Sequence, residues 1–160
     1  MTETRRSLQE RYAPANICFG CGQANPRGLQ IRSFAEGTDP YGEVVMEWLP
    51  EIHHEAFDQV LNGGIIGTLM DCHSNWTAIW HLMCRDELER ATPCVTAEFH
   101  VKMRRPTPSR RMLRIRARVV DSVGNRVTVE AELESGGEVT ATCVGTFVAV
   151  GPGHPAFERW

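Results

Sequence analysis

Lysine is almost missing from this sequence. Lys102 is the only one, and arginine supplies the rest of the basic charge. The net charge is −3, so the totals give no case for nucleic-acid binding. No apolar run approaches the ~18 residues of a membrane helix, and no membrane partner is expected. The opening residues, MTETRRSLQERYAP, contain no apolar signal segment, so a cytoplasmic location with the six cysteines reduced is expected. Internal repeats and low-complexity linkers are absent. The 160 residues suit one domain with a substantial core, with 1–16 and 151–160 expected to be peripheral. A Ser-His-Asp or Cys-His nucleophilic arrangement cannot be placed. Cys18 and Cys21 form one CxxC. A structural zinc wants about four ligands, and no second CxxC or HxxxH exists to complete a set. The CxxC is therefore read as a packed turn, with no metal ligand expected, and Cys72, Cys84 and Cys94 as core or near-core residues.

What is present is a change of period. Segments 28–34 and 42–49 read as two short strands joined by the turn-like AEGTDPY. Residues 50–61 look irregular. Residues 63–84 read as one long helix. Beyond it, four segments alternate with period two. They centre on Val95–Met103, Leu113–Val119, Val127–Leu133 and Val139–Phe147, with turns at RRPTPS, DSVGN and SGGE. Each is expected to bury one face. One helix among about six antiparallel strands implies an α+β domain whose sheet curls around the helix.

The helix itself has two faces. Gly64, Gly67, Thr68, Asp71, Ser74, Asn75 and Ala78 form a stripe of small or polar residues at 100° per residue. The opposite arc, with Ile66, Leu69, Trp76 and Ile79 among others, is the natural partner of the sheet. His73 and His81 take packing roles by default. The small stripe fits a helix–helix dimer seam, or a ligand channel with Asp71 as the reacting group; the helix alone does not separate them. The glycines at the helix start favour the channel, because unpaired N–H groups at a positive dipole end can hold a developing oxyanion. Asp71 lies nine residues past Asn62, about 13 Å along the axis at 1.5 Å per residue. One helix cannot serve both ends of one carbonyl at that distance. Two antiparallel helices in a symmetric dimer can. Seven arginines lie between Arg104 and Arg118. Most read as a solvated strand face balanced by Glu130 and Glu132, while Arg104 and Arg105 stand at a strand-end corner.

NGGIIGTLMD, preceded by HEAFDQVL, together with VTAEFHVKMRRPTP and CFGCGQANPRGLQI, resembles the hotdog-fold thioesterases of the phenylacetate-degradation type. The likeness spans roughly residues 18–150. That family starts its helix with His-Gly-Gly and carries an Asp nine residues after the His. The resemblance implies an acyl-CoA thioesterase needing no cofactor, with coenzyme A as part of its substrate. Gly63 and Gly64 would polarise the thioester carbonyl. Asp71 of the other chain would be general base or nucleophile, and Thr96 would place the water. His54 matches a recurring loop His. Thr68 and Asn75 would line the substrate channel, and Arg104 and Arg105 would take the phosphates. Homodimers are implied, with pairing into tetramers permitted. Two positions depart from the family: Asn62 replaces the His and Ala56 replaces a polar residue or glycine. An asparagine amide can donate a hydrogen bond but cannot titrate, which keeps a non-catalytic acyl-CoA-binding protein open as the alternative. A hotdog dehydratase would need a His and acidic pair near the helix start, and none is seen.

Overall fold

The computed structural model describes residues 5–159. Six strands form one antiparallel sheet in the order β1-β2-β6-β7-β8-β5, where β1 is Phe34–Ala35, β2 Val44–Trp48, β5 Cys94–Met103, β6 Leu113–Val123, β7 Arg126–Ser135 and β8 Glu138–Ala149. The sheet curls around α2, Gly63–Arg85, which packs on β5 to β8. A short hairpin of β3, Glu55–Phe57, and β4, Val60–Leu61, leads into the helix. The β7–β8 turn is two consecutive glycines, Gly136 and Gly137, both at positive φ, the conformation a tight hairpin demands.

The core is the interface expected from the two periodicities. Leu113, Ile115, Ala117 and Val119 of β6 and Val127, Val129, Ala131 and Leu133 of β7 are buried, as are Ile66, Leu69, Met70, Trp76 and Ile79 of α2. The alternate residues of β6 and β7 face out. There Arg116 meets Glu132 at 3.8 Å and Arg118 meets Glu130 at 4.0 Å, so these arginines form the balanced strand face expected of them.

Besides residues 50–61, read as irregular yet carrying the β3–β4 hairpin, three regions differ from the sequence reading. The first is residues 28–33, expected to be strand. Their amides bond locally instead, Leu29 N to Phe19 O and Ile31 N to Gly20 O, and Gln30 has a positive φ, so pairing begins only at Phe34. The second is the N-terminal stretch, expected to be peripheral. Within it α1, Leu8–Tyr12, is docked: Ser7 caps it, Leu8 is buried, and Gln9 exchanges hydrogen bonds with Ser33. Ser33 Oγ lies 2.8 Å from His73 Nδ1, and His73 Nε2 lies 3.0 Å from the Val44 carbonyl. This chain of bonds ties α1, the irregular segment, α2 and β2 together, and burial drives the His73 pKa down to about 4.

The third is β5, expected to bury one face. Most of it is exposed, Phe99 and Met103 included. It is an edge strand, so its outer side meets no neighbouring strand among the described residues. Its register shifts between Thr96 and Glu98, a bulge that breaks the alternation after Thr96.

Candidate functional site

The site begins where the chain enters α2. Asn62 has extended backbone angles, and its N–H donates to the His54 carbonyl. Its side-chain Oδ1 accepts from Gly64 N at 2.8 Å and Ile65 N at 3.2 Å, a helix N-cap. The Gly64 N–H, expected to hold a substrate carbonyl, is thus already engaged. The Gly63 N–H has no protein acceptor among the described residues, and the cap leaves both hydrogens of the Asn62 amide nitrogen unspent. Asn62, Gly63 and Gly64 are all exposed. A Cβ on Gly63 would meet only Met103 Cε, at 3.6 Å, so the end of β5 borders the helix start.

The approach to Asn62 is fixed by its surroundings. His54 is buried, its Nδ1 accepts from Glu51 N at 2.9 Å, and its ring lies 4.8 Å from that of Trp48. Burial lowers its pKa, which favours the neutral ring. The β3–β4 hairpin is tied to the corner after β5 by Leu61 N to Thr107 O and by Arg110 on Glu55 and Asp58. Arg104 and Arg105 lie at that corner and are exposed. Arg105 pairs with Glu138 at 2.9 Å, whereas the Arg104 side chain meets Thr142 Oγ1 through Nε at 3.3 Å and pairs with no carboxylate among the described residues.

Asp71 is half-buried two turns farther along α2. Thr96 Oγ1 donates to its Oδ1 at 2.7 Å, which leaves Oδ2 for another partner. Burial raises the Asp71 pKa, the Thr96 hydrogen bond opposes the rise, and Cys18 adds to it. The β5 bulge follows Thr96 directly, the place where a strand re-aims a side chain. Asp71 and Thr96 open on a cleft of about 390 Å³ that Asn75, Trp76, Cys94 and Arg159 also line. Asn75 donates to the Cys94 carbonyl at 2.9 Å and so fastens α2 to the start of β5. Thr68 spends its hydroxyl proton on the Gly64 carbonyl at 3.1 Å. A larger groove of about 820 Å³ lies near the far end of α2, between Tyr12, Leu88 and Phe157, and contains none of these groups.

The described chain therefore holds two separate groups of candidate residues. One is the helix start, Asn62 and Gly63, with Met103 and Arg104 beside it. The other is the Asp71–Thr96 pair in its cleft. His54 supports the first through its backbone, and Asn75 supports the second. One grouping escaped the sequence reading. Cys72 is not merely a core residue: its sulfur meets those of Cys18 and Cys21, all within 4.8 Å of one another. The signal was its position beside Asp71, on the helix turn that faces the CxxC.

A model of the thioesterase superfamily matches residues 58–142, which contain both groups. No curated protein sequence matches the chain. Among solved structures, the chain is similar to a phenylacetic acid degradation-related protein from Ralstonia eutropha JMP134, with 21% identity over 76% of this chain and 86% of that one and a TM-score of 0.63. It is similar also to a mutant form of the phenylacetic acid degradation protein PaaI from Thermus thermophilus, with 19% identity, 76% and 95% coverage and a TM-score of 0.61. A hypothetical thioesterase protein from Streptococcus pneumoniae TIGR4, solved with coenzyme A, shares 15% identity over 75% of this chain and 90% of that one, with a TM-score of 0.61. At these identities the likeness is one of fold.

Proposed function

The chain belongs to the thioesterase superfamily and has its hotdog fold, and on that premise we propose that it hydrolyses an acyl-CoA thioester to a carboxylic acid and coenzyme A. Asp71 is the general base. Its free Oδ2 takes a proton from water, the Thr96 hydroxyl holds Oδ1 and orients the pair, and the water oxygen attacks the thioester carbonyl. Direct attack by the carboxylate, giving an anhydride that water then opens, uses the same atoms. The oxyanion is held by the Gly63 N–H and the Asn62 amide at the helix start. Collapse of the tetrahedral centre breaks the carbon–sulfur bond and releases the coenzyme A thiol.

Because about 13 Å of helix separates Asn62 from Asp71, the two halves of each site come from different chains of a dimer. The edge strand β5, with Phe99 and Met103 uncovered beside Gly67 and Gly63, supports this pairing. Dimers pairing into tetramers remain compatible with it. Arg104, whose terminal nitrogens carry no carboxylate, is the better phosphate ligand; Arg105 must first leave Glu138. The Streptococcus pneumoniae thioesterase protein was solved with coenzyme A, which is consistent with that substrate class.

The observation that carries the proposal is the Thr96–Asp71 hydrogen bond on a carboxylate whose pKa burial has raised. A base must be ionised to act, so activity rises with pH through a value above the ordinary carboxylate 3.8. Thiol release from a panel of aromatic, short and long acyl-CoAs tests it. Wild type is expected to turn over at least one of them, and Asp71→Asn to lose about 100-fold or more. Binding of acyl-CoA without turnover by wild type would replace the enzyme with a binding protein, with the non-titrating Asn62 as its reason.

A further inference from the structure

Residues 13–33 form almost no regular structure, yet they are held close to α2. Asn16 Oδ1 accepts from Cys18 N at 2.7 Å, and Gly22 N donates to the Cys18 carbonyl at 2.9 Å, which closes a tight turn around the CxxC. The Cys21 sulfur accepts from Trp76 Nε1 at 3.3 Å, a donor aimed at sulfur as a thiolate needs. Gly20 presses against the helix so closely that a Cβ there would collide with the Cys72 sulfur.

The three sulfurs have the spacing of a ligand set. Ligands 2.3 Å from a tetrahedral zinc stand about 3.8 Å apart. Cys18 and Cys72 sulfurs are 3.9 Å apart, and all three lie within 4.8 Å of one another. A disulfide needs about 2.0 Å, so the Cys18–Cys72 pair would have to close by nearly half its separation and would strand the third thiol. A cation at the centre needs far less movement. Cys18, Cys21 and Cys72 also line the cleft that holds Asp71, which leaves room for a fourth ligand from that side. Sulfur-rich donors select a soft, zinc-class cation over magnesium or calcium.

We propose that Cys18, Cys21 and Cys72 bind one zinc-class divalent cation, with a cleft water as fourth ligand. The cation pins the irregular N-terminal segment to α2. Binding deprotonates the thiols, since metal ligands must be thiolates. Cys94 and Cys143 stand outside the cluster.

The test is cobalt(II) and zinc(II) binding by the full chain, purified under reducing conditions. One ion per chain is expected, with thiolate-to-cobalt charge-transfer absorption that zinc displaces and a thermal midpoint that a chelator lowers. Cys18→Ser and Cys72→Ser should abolish the absorption while keeping the wild-type circular dichroism, and Cys94→Ser should leave it intact. Cys18 is exposed, so its replacement is the variant least able to disturb folding. Cobalt giving no charge-transfer absorption, or absorption that survives both Cys18→Ser and Cys72→Ser, would overturn the site. So would a mass two hydrogens light in protein purified without reductant, mapped to a disulfide among these cysteines, if reduction then failed to restore cobalt binding. None of these readouts depends on hydrolysis.

Discussion

The two ends of α2 meet different surroundings. From Ile66 to Met83 the helix turns large side chains into the curl of the sheet, and Trp76 and Ile79 are almost fully buried. The small stripe disappears there as well, because Ser74 and Ala78 are buried. At the other end Asn62, Gly63 and Gly64 are exposed, and the neighbouring apolar side chains, Phe99 and Met103, are uncovered. Along the first stretch the large arc is covered within the chain, while Asp71 on its other side opens on a cleft. The second has small residues, an unspent N–H and an apolar rim. The difference teaches that packing accounts for the buried arc of the helix and leaves its open end unexplained by the core.

Trp76→Ala at the buried end should have the largest effect on folding. A loss of about 3–5 kcal/mol is expected in denaturant unfolding, since the cavity would lie in the centre of the core. Gly63→Pro at the open end should do the reverse. Proline suits the first helical position, and Asn62 already has the extended backbone that must precede it. Only the N–H is lost, so the thermal midpoint should hold while kcat falls by about 10²–10³.

His73 sharpens the contrast through pH. Its folded-state pKa is about 4 against 6.5 when unfolded, so protonation favours the unfolded chain. Its contribution is fully present above pH 6.5 and is lost as pH falls toward 4. Urea midpoints across that window should report about 3 kcal/mol in wild type, and a smaller change in His73→Gln. The smallest effect belongs to the cap. Asn62→Ala should cost about 1 kcal/mol of stability. Asn62→Asp should keep most of the cap yet impair turnover, because it loses both amide hydrogens and adds charge where the oxyanion forms.

The extent to which this was legible in the sequence follows from periodicity. The strands β6 and β7 alternate strictly because each has one face on α2 and one in water, so their core residues could be read directly. Strand β5 alternates in sequence too, but its Phe99 and Met103 are exposed while Val101 packs on the core, and its bulge after Thr96 leaves no trace in the pattern. Segment 28–33 looked like a strand because Leu29 and Ile31 are apolar; they are buried by loop bonds to Phe19 and Gly20 instead. Asn62, Asp71 and Thr96 were singled out by spacing and resemblance, and the structure adds the Thr96–Asp71 hydrogen bond. That Asn62 engages the Gly64 N–H was not, because an asparagine offers a donor and an acceptor and only the fold chooses between them. The three-sulfur cluster was hidden for a similar reason: its third member comes from 51 positions beyond Cys21.

The central claim is that each site joins the open end of one helix to the Asp71 of another. Gly63→Pro and Asp71→Asn each remove one half, and each alone should be nearly inactive. Thiol release by dimers co-assembled from equal amounts of the two variants tests the claim directly. Half of such dimers are mixed, and each mixed dimer contains one site with both wild-type halves, so about a quarter of wild-type activity should return. Activity no greater than that of the two separate variants, with mixed dimers present, would contradict the account and put both halves of the site in one chain.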